Sequence, residues 1–82
     1  MLIAKIRVMS KKGIADPQGL AVKSGLNTMG FEDVMDVRIG KYIEVMIKET
    51  DKEKVREQVN DMCKKLLANP VIEDYFFEIV EG

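Results

Sequence analysis

Histidine and tryptophan are absent from this 82-residue sequence, cysteine occurs once and proline twice. Without histidine, the commonest general base and the ligand of most catalytic zinc sites are missing, and histidine-dependent hydrolytic triads are excluded. The lone Cys63 has no partner for an internal disulfide. No apolar run approaches the roughly 20 residues that a membrane span requires, and no basic-then-apolar leader opens the chain. The expected setting is the cytoplasm. Neither sign of charge dominates: 13 lysines and arginines stand against 14 aspartates and glutamates. Such a balance gives no long-range attraction for polyanions, so neither nucleic acid nor a membrane surface is an expected partner.

What is present is an ordinary folding composition, 46% hydrophobic and 33% charged. Residues 1–82 are expected to form one domain. A domain of this size buries only about 60% of the surface its unfolded chain exposes, so association with other chains would add to its stability.

From Leu2 to Met9, apolar Ala4, Ile6 and Val8 alternate with Lys5, Arg7 and Met9, the period of a strand. After the turn Lys11-Lys12-Gly13, Asp16-Pro17 has the chemistry of a helix start. That helix should run to about Met29, with Val22, Leu26 and Met29 as a core stripe, Gly30 as its left-handed end, and Phe31 returning to the core. Gly19 and Gly25 within it imply either tight backbone approach or a short, weak helix. Asp33–Ile39 alternates as a second strand and Lys41–Lys48 as a third, the two close enough for an antiparallel hairpin. Thr50 or Asp51 caps a second helix, whose Val55, Val59, Met62, Cys63, Leu66 and Leu67 share one face up to the stop at Asn69-Pro70. Tyr75–Val80 is the fourth strand. This order predicts an α+β fold, a βαββαβ ferredoxin-like unit with a four-stranded antiparallel sheet and two helices on one face.

With Ile6, Val8, Ile43, Val45 and Ile47 turned toward the helices, Ile3, Met9, Tyr42 and Met46 must emerge on the other side beside Lys5, Arg7 and Glu44. Phe76 and Val80 add to that side. Either these are scattered surface apolar residues, or Ile3, Met9, Met46, Phe76 and Val80 form a face that packs against a second copy. Candidate chemistry is sparse. Cys63 lies on an apolar stripe, where a thiol is a small core side chain. The pairs Asp33/Asp36 and Glu73/Asp74 lack the dense oxygen spacing of a calcium loop. Lys11-Lys12-Gly13 precedes a helix N-terminus but carries no glycine-rich phosphate fingerprint. RNA-binding domains of this topology stack bases on exposed aromatic residues, and only Tyr42 is available here. No catalytic, cofactor-binding or metal residue is assigned.

Three segments together resemble the PurS family: Asp16-Pro17-Gln18-Gly19 with Ala21-Val22, then Asp36-Val37-Arg38-Ile39-Gly40-Lys41, then Leu66-Leu67-Ala68-Asn69-Pro70-Val71-Ile72-Glu73-Asp74-Tyr75. The resemblance implies a non-catalytic subunit of phosphoribosylformylglycinamidine (FGAM) synthase in purine biosynthesis. Such a subunit bridges a glutaminase and an ATP-dependent synthetase and assists ammonia transfer. It further implies that this chain holds no cofactor, since ATP and magnesium belong to the synthetase, and that it self-associates as a dimer or tetramer. The family brings no catalytic motif. Arg38, Ile39, Lys41 and Tyr42, around the Ile39-Gly40 turn, are the candidate partner-binding residues. Otherwise Gly40 serves backbone geometry and the charges keep the turn soluble. The competing class is a small-molecule-sensing regulatory domain of the same topology, acting as a dimer, with anion donors in Lys11–Gly19.

Overall fold

The computed structural model describes residues 1–82 as five principal elements: β1 (Leu2–Ser10), α1 (Pro17–Thr28), β2 (Gly40–Ile47), α2 (Lys52–Met62) and β3 (Glu73–Glu81). A π-helical turn, Cys63–Leu67, extends α2. The sheet is three-stranded and antiparallel in the order β2-β1-β3. Its centre is β1, which pairs Ile6 with Ile43 on one side and with Phe77 on the other.

Strand parity decides the core. Leu2, Ala4, Ile6 and Val8 of β1 are buried, and they meet buried Val55, Val59 and Cys63 of the second helical segment and Ala68 just beyond it. Tyr75 and Phe77 close one flank with stacked rings, centroids 6.4 Å apart, and the Tyr75 hydroxyl donates to Asn60 Oδ1 at 2.6 Å. A fully buried side chain such as Ile6 contributes about 1.5–3 kcal/mol through removal from water. At the start of α2 the cap is Asp51, whose carboxylate accepts from the Glu53 and Lys54 amides at 3.1 and 3.3 Å. Glu49 accepts from the Thr50 amide and pairs with Lys54 at 3.2 Å, which holds its carboxyl below the usual range.

Three expectations are corrected. Residues 33–39 form no strand, and so there is no hairpin and no fourth strand. The outer edge of β2, where that hairpin would have formed, stays unpaired, and side chains take backbone donors of this segment instead. The Val37 amide donates to Asp36 Oδ1 and the Ile39 amide to Asp16 Oδ2, bonds that compete with a ladder. Secondly, only α2 covers the sheet. Helix α1 buries Gly19 alone, leaving Val22 and Met29 exposed, and Phe31 does not return to the core. The radius of gyration, 16.2 Å, exceeds the roughly 12 Å of a compact chain this long, because α1 and residues 31–39 stand away from the sheet. Thirdly, Leu66 is 82% exposed. In the π turn the Ala68 amide bonds to the Cys63 carbonyl at 2.9 Å, one residue further back than in an α-helix, and this places Ala68 in the core and swings Leu66 out.

Ile6→Ala is expected to lower the unfolding free energy by about 2–5 kcal/mol in urea titration. Leu66→Ala should change it by less than about 0.5 kcal/mol. A large loss at Leu66 would place that side chain in the core after all.

Candidate interaction surfaces

Opposite the core, the other parity of each strand builds an open face in cross-strand rows. Met46, Ile3 and Val80 make one row, Glu44, Lys5 and Glu78 the next, Tyr42, Arg7 and Phe76 a third, and Gly40, Met9 and Asp74 the last. Tyr42, Met46 and Phe76 are more than half exposed, while Ile3, Met9 and Val80 are intermediate. The sequence-derived face of Ile3, Met9, Met46, Phe76 and Val80 is thus gathered on one side of the sheet. Between β1 and β3 a shallow hollow of about 190 Å³ is lined by Lys5, Arg7, Phe76, Phe77 and Glu78. The Tyr42 hydroxyl donates to Glu44 Oε2 at 2.8 Å, which raises the phenol above its ordinary pKa because ionisation would forfeit that bond beside a carboxylate.

A second surface comprises α1 and the segment after it, where Leu20, Met29, Phe31 and Met35 are all exposed. It is anchored to the sheet by a joint that sequence reading missed. The Asp16 carboxylate accepts from the Gly19 amide at 2.9 Å, capping α1, and with its other oxygen from the Ile39 amide at 2.8 Å. These bonds, the Ile39 amide first, together with the Arg38 charge hold the Asp16 carboxyl below its ordinary value of 3.8. The Arg38 guanidinium donates to the Ser10 carbonyl at the end of β1. Gly19 lies so close to this segment that a β-carbon there would overlap the Val37 carbonyl oxygen, whereas one at Gly25 would meet open space. Of the two readings of the helix glycines, tight approach therefore holds at position 19 only. Gly40 is similarly confined, against the Val8 carbonyl and Met9.

The residues expected to receive a partner divide accordingly. Arg38 and Ile39 belong to the joint, Lys41 lies exposed at the start of β2, and Tyr42 lies on the open face. Other candidates have local structural roles. Asp36 bonds the neighbouring Val37 amide, Glu73 accepts from the Asn69 amide at 2.8 Å, and Asp74 lies 4.0 Å from Lys11. The N-terminus of α1, considered for an anion, holds the Asp16 carboxylate. Cys63 is buried in the core and its thiol is pushed above its ordinary pKa by desolvation. No cluster of three or more cysteine or carboxylate groups is arranged to hold a metal ion, and no helix is long and apolar enough to cross a membrane.

The family model of PurS, described as phosphoribosylformylglycinamidine (FGAM) synthase, matches residues 3–81. The chain belongs to the PurS family. Within that family it is 47% identical to the Bacillus subtilis phosphoribosylformylglycinamidine synthase subunit PurS over 99% of this chain and 95% of that one. Identity to the Methanocaldococcus jannaschii PurS subunit is 42%, covering 96% of this chain and 95% of the relative. The fold agrees. A B. subtilis PurS crystal structure superposes with a TM-score of 0.88 over 99% of this chain and all of that one. A chain in the structure of PurLQS from Thermotoga maritima, 30% identical, superposes with a TM-score of 0.84 over 98% of this chain and 99% of that one.

Asp16→Asn tests the joint, because a carboxamide offers one acceptor oxygen where the carboxylate offers two. Amide exchange at Gly19 or Ile39 should quicken by roughly tenfold while Val59 in α2 keeps its protection. With a folded pKa below the unfolded one, the native joint is complete above the ordinary carboxylate range and loosens as pH falls through the lowered value. Exchange measured between about pH 5 and 7, once corrected for intrinsic rates, should therefore show no loosening in the native chain. Unchanged protection in the variant would remove the joint.

Proposed function

We propose that this chain is the non-catalytic subunit of phosphoribosylformylglycinamidine synthase that bridges the glutaminase and the synthetase. The enzyme converts formylglycinamide ribonucleotide to the amidine with ATP and glutamine in purine biosynthesis. ATP and magnesium act in the synthetase, ammonia comes from the glutaminase, and this chain holds the two together, assists ammonia transfer and carries no cofactor. Its setting is the cytoplasm, with no nucleic acid and no membrane among its partners. The observation that carries this reading is the family match along residues 3–81 in a chain with a homologue inside PurLQS. The physical support is the ratio of surface to core: eight buried apolar residues stand against fourteen exposed large ones. So much uncovered apolar surface on so small a chain fits an assembly subunit.

Self-association belongs to the same reading. The open sheet face and the α1 surface are distinct, so a dimer can form through one and a tetramer through both. Tyr42 and Lys41 remain the positions proposed for an enzyme partner. Arg38 and Ile39 would act by fixing the segment that leads into β2.

Co-elution with the synthetase and glutaminase, in the presence of glutamine and ADP, tests the bridge. Lys41→Glu combined with Tyr42→Ala is expected to weaken co-elution about tenfold with little change in thermal unfolding, as for loss of a docking contact. Unchanged co-elution would remove these two residues from the interface. Absence of both enzymes, together with thermal stabilisation by an amino acid or nucleotide, would favour the sensing domain.

A further inference from the structure

Helix α1 ends in a way that fixes a large aromatic side chain in solvent. Gly30, at φ 100°, takes the left-handed position. Its amide donates to the Asn27 carbonyl at 3.1 Å and the Phe31 amide reaches back to the Leu26 carbonyl at 3.0 Å, the two bonds of a Schellman cap. The Phe31 carbonyl in turn accepts from Asn27 Nδ2 at 2.9 Å and from the Val34 amide at 3.3 Å. Both backbone polar groups of Phe31 are thus engaged, yet the residue is 54% exposed. Met29 and Met35, on either side of it in sequence, are more exposed still. Between Lys23 and Arg38 the chain has no cation but carries Glu32, Asp33 and Asp36. All three carboxylates are exposed and none is in a salt bridge. An aromatic residue on a fixed backbone loses little freedom on burial, methionines adapt to an irregular wall, and carboxylates without a cation of their own call for cations across a contact.

We propose that this end of α1 docks into an apolar recess rimmed by arginine or lysine side chains on one of the two enzymes that the chain bridges, with Phe31 as the anchor. The proposal rests on the bridging reading, and it assigns the α1 end to an enzyme rather than to a second copy. Charge complementarity selects that occupant. A second copy meeting this end with its own would set carboxylates against carboxylates, and an anionic membrane surface would repel them. A bridge also needs two contacts that each enzyme can tell apart. The Lys41–Tyr42 contact proposed above carries a cation and opens β2 on one side of the joint. On the other side, about 15 Å of helix separates Gly19 in the joint from Met29 at the end of α1. Two contacts of opposite sign, set apart in this way, give each enzyme one site: an acidic surface takes Lys41 and a basic recess takes Phe31.

Co-elution of the complete complex, in the presence of glutamine and ADP, tests this through its composition. Phe31→Ala, and separately Glu32→Lys with Asp33→Lys, should weaken retention of one enzyme about tenfold while the other stays bound. Lys41→Glu with Tyr42→Ala should release the opposite enzyme. The Phe31-dependent enzyme should also be released as sodium chloride rises from about 0.05 to 0.5 M. Thermal melts and sedimentation velocity of each α1 variant alone should match the wild type, because the substituted side chains are exposed. Both enzymes held at wild-type strength by the two α1 variants would overturn the docking end and leave the bridge standing. A fall in the assembled mass of these variants would assign the end to a second copy and overturn the proposal as well. Loss of the same enzyme from both sets of variants would overturn the division of the two enzymes between the contacts. A wild type that holds neither enzyme would overturn the bridge and the docking end together.

Discussion

One strand sets the terms for the whole molecule. β1 has both edges occupied and its even-numbered side chains buried under a single helix, so its odd-numbered side chains are committed to the opposite face, where this chain supplies no cover. Parity makes that commitment rigid: an odd slip brings Ile3 or Met9 inward only by expelling Ile6 and Val8, and an even slip leaves both outside. Residues 33–39 leave the outer edge of β2 unpaired and are held to α1 through Asp16 instead, and the molecule is elongated, 49 × 27 × 14 Å.

The elements governed by local periodicity and cap chemistry were legible in the sequence. β1, β3, α2 and the start of α1 lie where alternation, the 3.6-residue stripe and Asp16-Pro17 put them, because those signals act between near neighbours. Asp33–Ile39 alternates as well as a strand does, but alternation records only what a segment could do, and here the Asp36 and Asp16 carboxylates take the Val37 and Ile39 amides. The stripe of α1 predicted cover that the chain does not provide. Leu66 escaped prediction because the π turn alters the angular sequence of side chains, and no residue in Cys63–Leu67 announces it.

Of the interaction surfaces, the sheet face was legible and the joint was not. Face membership follows from counting residues along a strand. The Asp16–Ile39 and Arg38–Ser10 contacts link positions 23 and 28 residues apart, beyond any spacing rule. Gly19 was the one available hint, a helix-weakening residue where the backbone of another segment needs room. The joint gives the sequence Asp36–Lys41 a structural rationale: Asp36 and Arg38 fix the segment, Ile39 gives its amide to Asp16, and Gly40 lets β2 approach β1.

The chain belongs to the PurS family and has a buried thiol, no histidine and no metal-binding cluster; under the bridging proposal it acts by surface contact beside the enzymes that perform the chemistry. The most direct measurement is glutamine-dependent formation of the amidine by purified synthetase and glutaminase, with this chain titrated in. The account predicts no turnover by the chain alone and a rise in glutamine-dependent rate that saturates at a fixed ratio of chains. A rate indifferent to the chain, or turnover by the chain on its own, would contradict it.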